Sequence, residues 1–180
     1  MELLNIPYKI SHRDVRYPRL EFKTGELLFV LPLGFNPEKV FSKHQKWIQD
    51  KFAFIEGCLK DAPPGKIVTR TEKEFQSLAL FFAKRSSQEL NVTPNRIYFR
   101  KMRTKWASLS AKGNLTINTL MKYLPEYLIK YIIFHELTHL KVKRHNEIFW
   151  KIIFKRFKNL PKIEKNLFSY WFSIVALKMS

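Results

Sequence analysis

The amino-acid sequence predicts an α+β fold, in which short strands and long helices come from separate stretches of the chain. Short apolar runs beside turn residues predict strands in residues 8–31 and 97–118. Apolar residues at helical spacing predict helices between and after these stretches. The composition supports a packed core, because 46% of the 180 residues are hydrophobic and 15% are aromatic. Such a composition excludes a largely disordered chain.

The stretch Asp61–Gly65 is rich in proline and ends in glycine, so it predicts a boundary between two parts of the chain. We predict an N-terminal subdomain in residues 1–62 and a larger domain with C-terminal helices in residues 66–180. In the first part, two apolar runs flank Thr24-Gly25, which is typical of a hairpin turn. Asn36-Pro37 then predicts a helix start, with asparagine as the N-cap.

The second part begins with Thr71-Glu72-Lys73-Glu74, a capping-box pattern that opens a helix extending to about Leu90. Three strands are predicted next, at Ile97–Phe99, Trp106–Ser110 and Leu115–Asn118. Pro125 starts a helix that is apolar nearly all round, which predicts a buried central helix. Two more helices are expected at about Asn146–Lys158 and Ile163–Leu177, separated by Pro161.

Several classes of protein are excluded by simple counts. Cys58 is the single cysteine, so an internal disulfide and a cysteine-based zinc site are excluded. The N-terminal residues lack the basic and apolar regions of a signal peptide. The most apolar run, Leu167–Leu177, is too short to span a bilayer. We therefore expect a soluble, cytoplasmic protein with no membrane partner.

The predicted central helix contains the segment His135-Glu136-Leu137-Thr138-His139. Residues four apart lie on one face of a helix, so the two imidazoles can bind one zinc ion. Glu136 is rotated by about 100° from His135, which places its carboxylate beside a water-filled coordination position. An unligated carboxylate there could take a proton from that water, as in zinc hydrolases.

A zinc site of this kind needs a third protein ligand, and the residues alone leave several candidates. His145 would be rotated by about 240° from His139 if the helix continued, so the helix must end before it. No glycine or proline aids that turn, so we expect Lys143 or Arg144 in the left-handed conformation. The competing ligands are carboxylates of the following helices, Glu147 or Glu164.

These residues resemble the YgjP-like metal-dependent hydrolases, which belong with the SprT and WLM groups among the zincin metallopeptidases. The resemblance is carried by Arg100, Arg103–Ser110, Leu115–Asn118, Pro125, His135–His139 and His145–Trp150. It implies a zincin-like fold, with helices packed on a small mixed or antiparallel sheet and N-terminal β-hairpins followed by a helix. It also implies one Zn²⁺ per chain, held by His135, His139 and His145, with Glu136 as the catalytic base.

The same resemblance implies a substrate groove between the metal helix and the strand Trp106–Ser110, whose edge can pair with an extended peptide. It places Arg100, Arg103, Trp106 and Ser108 at this groove. Ala107 and Leu109 depart from the family pattern, which usually has glycine and cysteine there, so the substrate preference is left open.

Three functions remain compatible with this sequence. The leading hypothesis is a zinc metallopeptidase acting on a peptide or protein. The net charge of +18 and the absence of acidic residues between Glu89 and Glu126 also suit an anionic partner. The alternatives are therefore a metal-dependent nucleotide phosphoanhydride hydrolase, or a DNA-associated protease or nucleic-acid-binding protein. The sequence predicts no oligomeric state.

Overall fold

The computed structural model describes residues 8–23, 26–60 and 67–179. Three predictions lie outside these residues: the lack of a signal peptide, the turn at Thr24-Gly25 and the boundary at Asp61–Gly65. The chain divides into two compact units, residues 1–62 and 63–180.

The first unit is a three-stranded sheet followed by a long helix. Its elements are β1 (Tyr8–His12), β2 (Arg19–Lys23), β3 (Glu26–Leu31) and α1 (Pro37–Lys60). Strands β2 and β3 pair antiparallel, as the predicted hairpin requires, whereas β1 pairs parallel with β3. The expectation of more than one N-terminal hairpin is therefore wrong. The central strand β3 separates β1 from β2, so the segment joining them cannot be a hairpin turn.

The core of the first unit forms where the sheet meets its helix. Phe29 and Leu31 of β3 are buried together with Val40 and Ile48 of α1. Helix α1 has a kink at His44, between these two residues, and both of them still pack in the same core. The predicted cap is present, because the Asn36 side chain accepts a hydrogen bond of 2.8 Å from the Glu38 N–H.

The second unit combines a small mixed sheet with four helices among its described residues, which confirms the predicted α+β class. Its elements are α2 (Glu72–Leu90), β4 (Ile97–Arg100), β5 (Ala107–Leu109), β6 (Leu115–Asn118), a 3-10 helix (Thr119–Tyr123), α3 (Glu126–Thr138), α4 (Glu147–Arg156) and α5 (Leu160–Met179). The strand order is β4-β6-β5, with β4 parallel and β5 antiparallel to β6. Strand β5 is therefore an edge.

Helix α3 is the centre of the second unit, as its apolar sequence predicts. It packs against α2, α4 and the strands β5 and β6. Eight of its residues are buried, and they are Leu128, Ile129, Tyr131, Ile132, Ile133, Phe134, Leu137 and Thr138. Neighbours on several sides hold this helix in place, so the polar side chains at its C-terminal end have fixed positions.

The capping box predicted for α2 is present. The Thr71 side chain accepts a hydrogen bond from the Glu74 N–H, and the Glu74 carboxylate accepts one of 2.8 Å from the Thr71 N–H. These two bonds satisfy N–H groups that have no partner within the helix. The helix ends at Asn91, whose φ of 50° is left-handed.

Helix α5 begins earlier than predicted, at Leu160, so Pro161 lies in its first turn and does not separate two helices. Proline is tolerated there because the N–H groups of a first helical turn have no acceptor within the helix. The Asn159 side chain accepts a hydrogen bond from the Lys162 N–H, which caps this end. None of the helices in the described ranges is long and apolar enough to cross a membrane.

Candidate active site

Three histidines meet at the C-terminal end of α3. His135 lies in the last turn of the helix and His139 is its C-cap. The chain then turns, because the Leu140, Lys141 and Val142 N–H groups donate to carbonyls of Leu137 and Thr138. This turn brings His145 back beside the first two histidines.

The turn does not use the left-handed backbone that we expected at Lys143 or Arg144. Asn91 is the one non-glycine residue with positive φ in the described ranges. The chain leaves the helix through successive hydrogen bonds to the Thr138 carbonyl, so no single residue has to reverse its direction. The His139 ring reinforces this path through a contact of 3.1 Å between its Nδ1 and the Val142 carbonyl.

The distances between the three imidazoles suit a single metal ion. One ring nitrogen of each histidine lies within 4.8 Å of the others, and the Nε2 atoms of His135 and His145 are 3.0 Å apart. Two nitrogens that each lie about 2.0–2.1 Å from one zinc ion are separated by about 3 Å or slightly more. Neither Glu147 nor Glu164 belongs to this group in the described part of the chain.

The local environment favours the neutral form of His135 and of His145. Burial, together with the neighbouring His139 and His145, lowers the pKa of His135 to about 3. Burial also lowers the pKa of His145, as does His139. A neutral imidazole presents the nitrogen lone pair that a metal needs, so the donor set fits a zinc ion.

Packing holds the three rings. Phe149 is fully buried, and its ring centroid lies 4.9 Å from that of His135, 4.7 Å from that of His139 and 4.6 Å from that of His145. Asn146 caps α4 by accepting a hydrogen bond from the Phe149 N–H, which fixes this helix directly after His145. The Nδ1 atom of His135 is buried without a hydrogen-bond partner among the described residues, so packing orients this ring.

We expect Phe149→Ala to weaken metal binding as well as folding. Removing a buried phenylalanine costs about 3–5 kcal/mol of unfolding free energy. Losing the group that orients metal ligands typically costs about 10–100-fold in metal affinity. Chemical denaturation of the metal-free protein and zinc titration measure the two effects. Phe149→Leu, which keeps an apolar side chain, is the control, and an unchanged zinc affinity in Phe149→Ala would show that the ring does not position the ligands.

Glu136 follows His135 on α3 and is half-buried. Burial raises the pKa of its carboxyl group, whereas His139, a hydrogen bond from the Leu109 backbone and the charge of Lys105 act in the opposite direction. The Leu109 backbone therefore lies beside this carboxylate at the edge strand β5. A carboxylate in this position lies between the histidine group and the sheet.

The comparison with protein families identifies this arrangement. The family model of the YgjP-like metallopeptidase domain matches residues 65–170. The chain belongs to the YgjP-like metallopeptidase family. It is accordingly a hydrolase, and the family implies a divalent metal. The three histidines form a group that could hold such an ion.

Solved structures give weaker similarities to this YgjP-like chain. The metallopeptidase zymogen abylysin of Pyrococcus abyssi is 25% identical over 49% of this chain and 90% of that chain, with a TM-score of 0.46. The metallopeptidase zymogen jannalysin of Methanocaldococcus jannaschii is 29% identical over 49% of this chain and 90% of that chain, with a TM-score of 0.44. No curated protein matches this sequence.

The four residues that the sequence places at the substrate groove of this YgjP-like chain have different surroundings. Arg100 is exposed at the end of β4, with its guanidinium 5.3 Å from the Tyr98 ring centroid, and Arg103 is exposed in the following loop. Trp106 packs edge-on against the buried Trp171 at 4.7 Å. Ser108 is half-buried within β5 and is paired with β6.

Two residues that shape this site, Asn118 and Phe149, received no separate role from the sequence. Phe149 lies one helical turn after His145, a spacing that indicates contact with that ring once a helix is known to start between them. Asn118 had a weaker signal, as the polar residue that ends an apolar strand. Lys105 belongs to the basic run between Glu89 and Glu126. Its proximity to Glu136 was not predictable from the sequence, because it depends on how β5 packs against α3.

Asn118 holds the loop between β4 and β5. It is fully buried, and its Nδ2 donates to the Met102 carbonyl at 2.9 Å and to the Lys105 carbonyl at 2.7 Å. Its Oδ1 accepts from the N–H groups of Met102 and Leu120 at 3.2 and 3.1 Å. The amide therefore uses both donors and one acceptor position to fix residues 102–105, and its other acceptor position holds Leu120.

We expect Asn118→Ala to lower the unfolding free energy by about 2–4 kcal/mol, because several backbone groups lose their partner and each buried unsatisfied group costs about 1–3 kcal/mol. Urea denaturation of the metal-free protein measures the loss. Asn114→Ala, at a half-buried asparagine whose side-chain Oδ1 has no partner among the described residues, is the matched control. An equal, small loss in both variants would mean that the Asn118 hydrogen bonds do not hold the loop.

Proposed function

We propose that this chain is a zinc-dependent peptidase in which His135, His139 and His145 hold one zinc ion and Glu136 is the general base. The observation that carries the proposal is the convergence of three imidazole nitrogens within 4.8 Å, directly beside a carboxylate on the same helix. Three neutral nitrogen ligands with a nearby unligated carboxylate suit catalytic zinc, which keeps one coordination position open.

When bound, zinc lowers the pKa of a coordinated water and polarises the carbonyl to be attacked. The chain's own part is proton transfer and positioning. The Glu136 carboxylate accepts a proton from the attacking water and passes it to the nitrogen of the leaving amine. Burial, which raises the pKa of Glu136, favours this exchange because it brings proton uptake closer to neutral pH.

Strand β5 offers the backbone for binding an extended peptide. The Trp106 carbonyl and the Ser110 N–H are bonded to the β6 side, so by alternation the backbone groups of Leu109 face the open edge. Ala107 is buried, whereas Leu109 is partly exposed. A peptide is therefore expected to contact β5 at the Leu109 end, where the Leu109 backbone lies beside Glu136 and its carbonyl faces the edge.

Hydrolysis assays on one preparation test this function. The zinc-loaded protein is incubated with casein-derived fluorogenic peptides and, separately, with nucleoside triphosphates. We expect zinc-dependent peptide cleavage that a chelator abolishes and that re-added zinc restores. Release of phosphate from the nucleotides without peptide cleavage would favour the phosphoanhydride hydrolase instead.

A further inference from the structure

The loop between β4 and β5 carries a cluster of basic side chains at the active site. Lys101, Arg103 and Lys105 are exposed at alternate positions, and Arg100 directly precedes them. We call these four residues the cationic rim. The ion pairs among the described residues lie elsewhere, at Arg70–Glu126, Lys122–Glu72 and Arg156–Glu89.

The cationic rim is held in a fixed shape. The Asn118 side chain bonds to the backbone of Met102 and Lys105, and the Asn118 N–H donates to the Trp106 carbonyl at 2.8 Å. These bonds fix both ends of the loop to β6. Because the backbone is already ordered, a ligand that binds the rim has little further loop entropy to overcome.

The rim also lies next to the catalytic carboxylate. Lys105 stands two residues before β5, and β5 packs against α3, the helix that carries Glu136. A substrate whose backbone lies along β5 beside Glu136 therefore lies next to the rim.

We propose that the cationic rim selects peptides with an acidic side chain near the scissile bond, with Lys105 and Arg103 as the specificity-determining residues. This proposal rests on the proposed peptidase function. In an extended peptide, alternate side chains point to the same face, so one carboxylate could reach the rim while the backbone lies along β5.

The geometry favours an acidic peptide over a nucleic acid. The four cations of the rim lie within residues 100–105, whereas nucleic-acid binding uses phosphate contacts repeated along a strand. The nearby aromatic rings are engaged, since Tyr98 lies under Arg100 and Trp106 packs on Trp171. They are therefore poorly placed to stack on bases, which single-stranded nucleic acid requires.

The proposal is tested with a pair of peptides. They are identical except that one has glutamate and the other has glutamine beside the scissile bond. We expect kcat/KM of the zinc-loaded enzyme to be higher for the glutamate peptide. Lys105→Gln and Arg103→Gln should each reduce the ratio of kcat/KM for the glutamate peptide to kcat/KM for the glutamine peptide by about two- to fivefold. This is the range for partly exposed charge pairs. The ratio cancels any effect of Lys105 on Glu136, because both peptides use the same base.

Lys84→Gln is the matched control, since it removes one charge from an exposed position on α2. It should leave the ratio unchanged, and an equal drop would mean that the overall charge, and not the rim, selects the substrate. Equal kcat/KM for both peptides at low salt would overturn the proposal. The proposal would also be overturned if Lys105→Gln and Arg103→Gln weaken binding to duplex DNA, measured by fluorescence anisotropy, but leave the kcat/KM ratio of the two peptides unchanged.

Binding separates failure of this proposal from failure of the peptidase function. The zinc-loaded Glu136→Gln variant is titrated with the same labelled peptides, and we expect tighter binding of the glutamate form. If wild type cleaves neither peptide and the variant binds neither preferentially, both proposals fail. If wild type cleaves both peptides equally well, only the proposal that the cationic rim selects acidic peptides is overturned.

Discussion

Replacing His135 or His139 by alanine is expected to abolish stoichiometric zinc binding. With one imidazole lost, the remaining two histidines cannot complete the three-nitrogen set that lies within 4.8 Å. Wild type should retain one zinc ion per chain after exhaustive dialysis, as measured by atomic emission or mass spectrometry. The variants should retain almost none.

A thermal measurement provides a second readout of the same loss. A ligand present at 100 times its dissociation constant stabilises the folded state by about 2.7 kcal/mol. Zinc should therefore raise the melting temperature of wild type and leave that of the histidine variants nearly unchanged. His44→Ala, which removes an exposed histidine from α1 in the first unit, should behave like wild type.

The same zinc-content assay tests whether His145 is the third ligand, as opposed to Glu147 or Glu164. His145→Ala should reduce zinc binding strongly, whereas Glu147→Gln and Glu164→Gln should not. If either carboxylate variant loses zinc while His145→Ala retains it, the ligand assignment is wrong even though the three rings converge. The two glutamine variants keep the length of the glutamate side chain, so a loss of zinc in either of them would not result from a smaller side chain.

The sequence could predict the features that depend on residues close together along the chain. The His135–His139 spacing and the capping box at Thr71 follow from the period of a helix, and both are present as expected. The hairpin of β2 and β3 and the strand pair β5–β6 also involve neighbouring segments. Local periodicity was sufficient to predict these elements.

Features that depend on contacts between distant segments were not predictable in the same way. The parallel pairing of β1 with β3 requires a crossing that no local pattern indicates. The turn from His139 to His145 has several sterically allowed paths, and the chain uses the Thr138 carbonyl instead of a left-handed residue. The influence of Lys105 on Glu136 arises where β5 packs against α3, about thirty residues along the chain.

Replacing Glu136 by glutamine should leave zinc bound and reduce peptide hydrolysis by about 10²–10⁴-fold, the usual contribution of a general base. The amide keeps the size of the carboxylate but cannot accept the proton of the attacking water. Zinc should remain stoichiometric, because the three histidines are unchanged. Steady-state kcat and zinc content, measured on the same sample, test both parts of the expectation.

The unfolding stability of the Glu136→Gln variant distinguishes a catalytic Glu136 from one that only supports the structure. Burial raises the pKa of Glu136, so the charged carboxylate costs more free energy in the folded protein than in water. The neutral glutamine avoids this cost, so the metal-free Glu136→Gln variant should be at least as stable as wild type in urea. A variant that unfolds more easily and loses zinc would show that Glu136 is a structural partner or a ligand. Lost activity with intact zinc and undiminished stability leaves proton transfer as the function of this carboxylate.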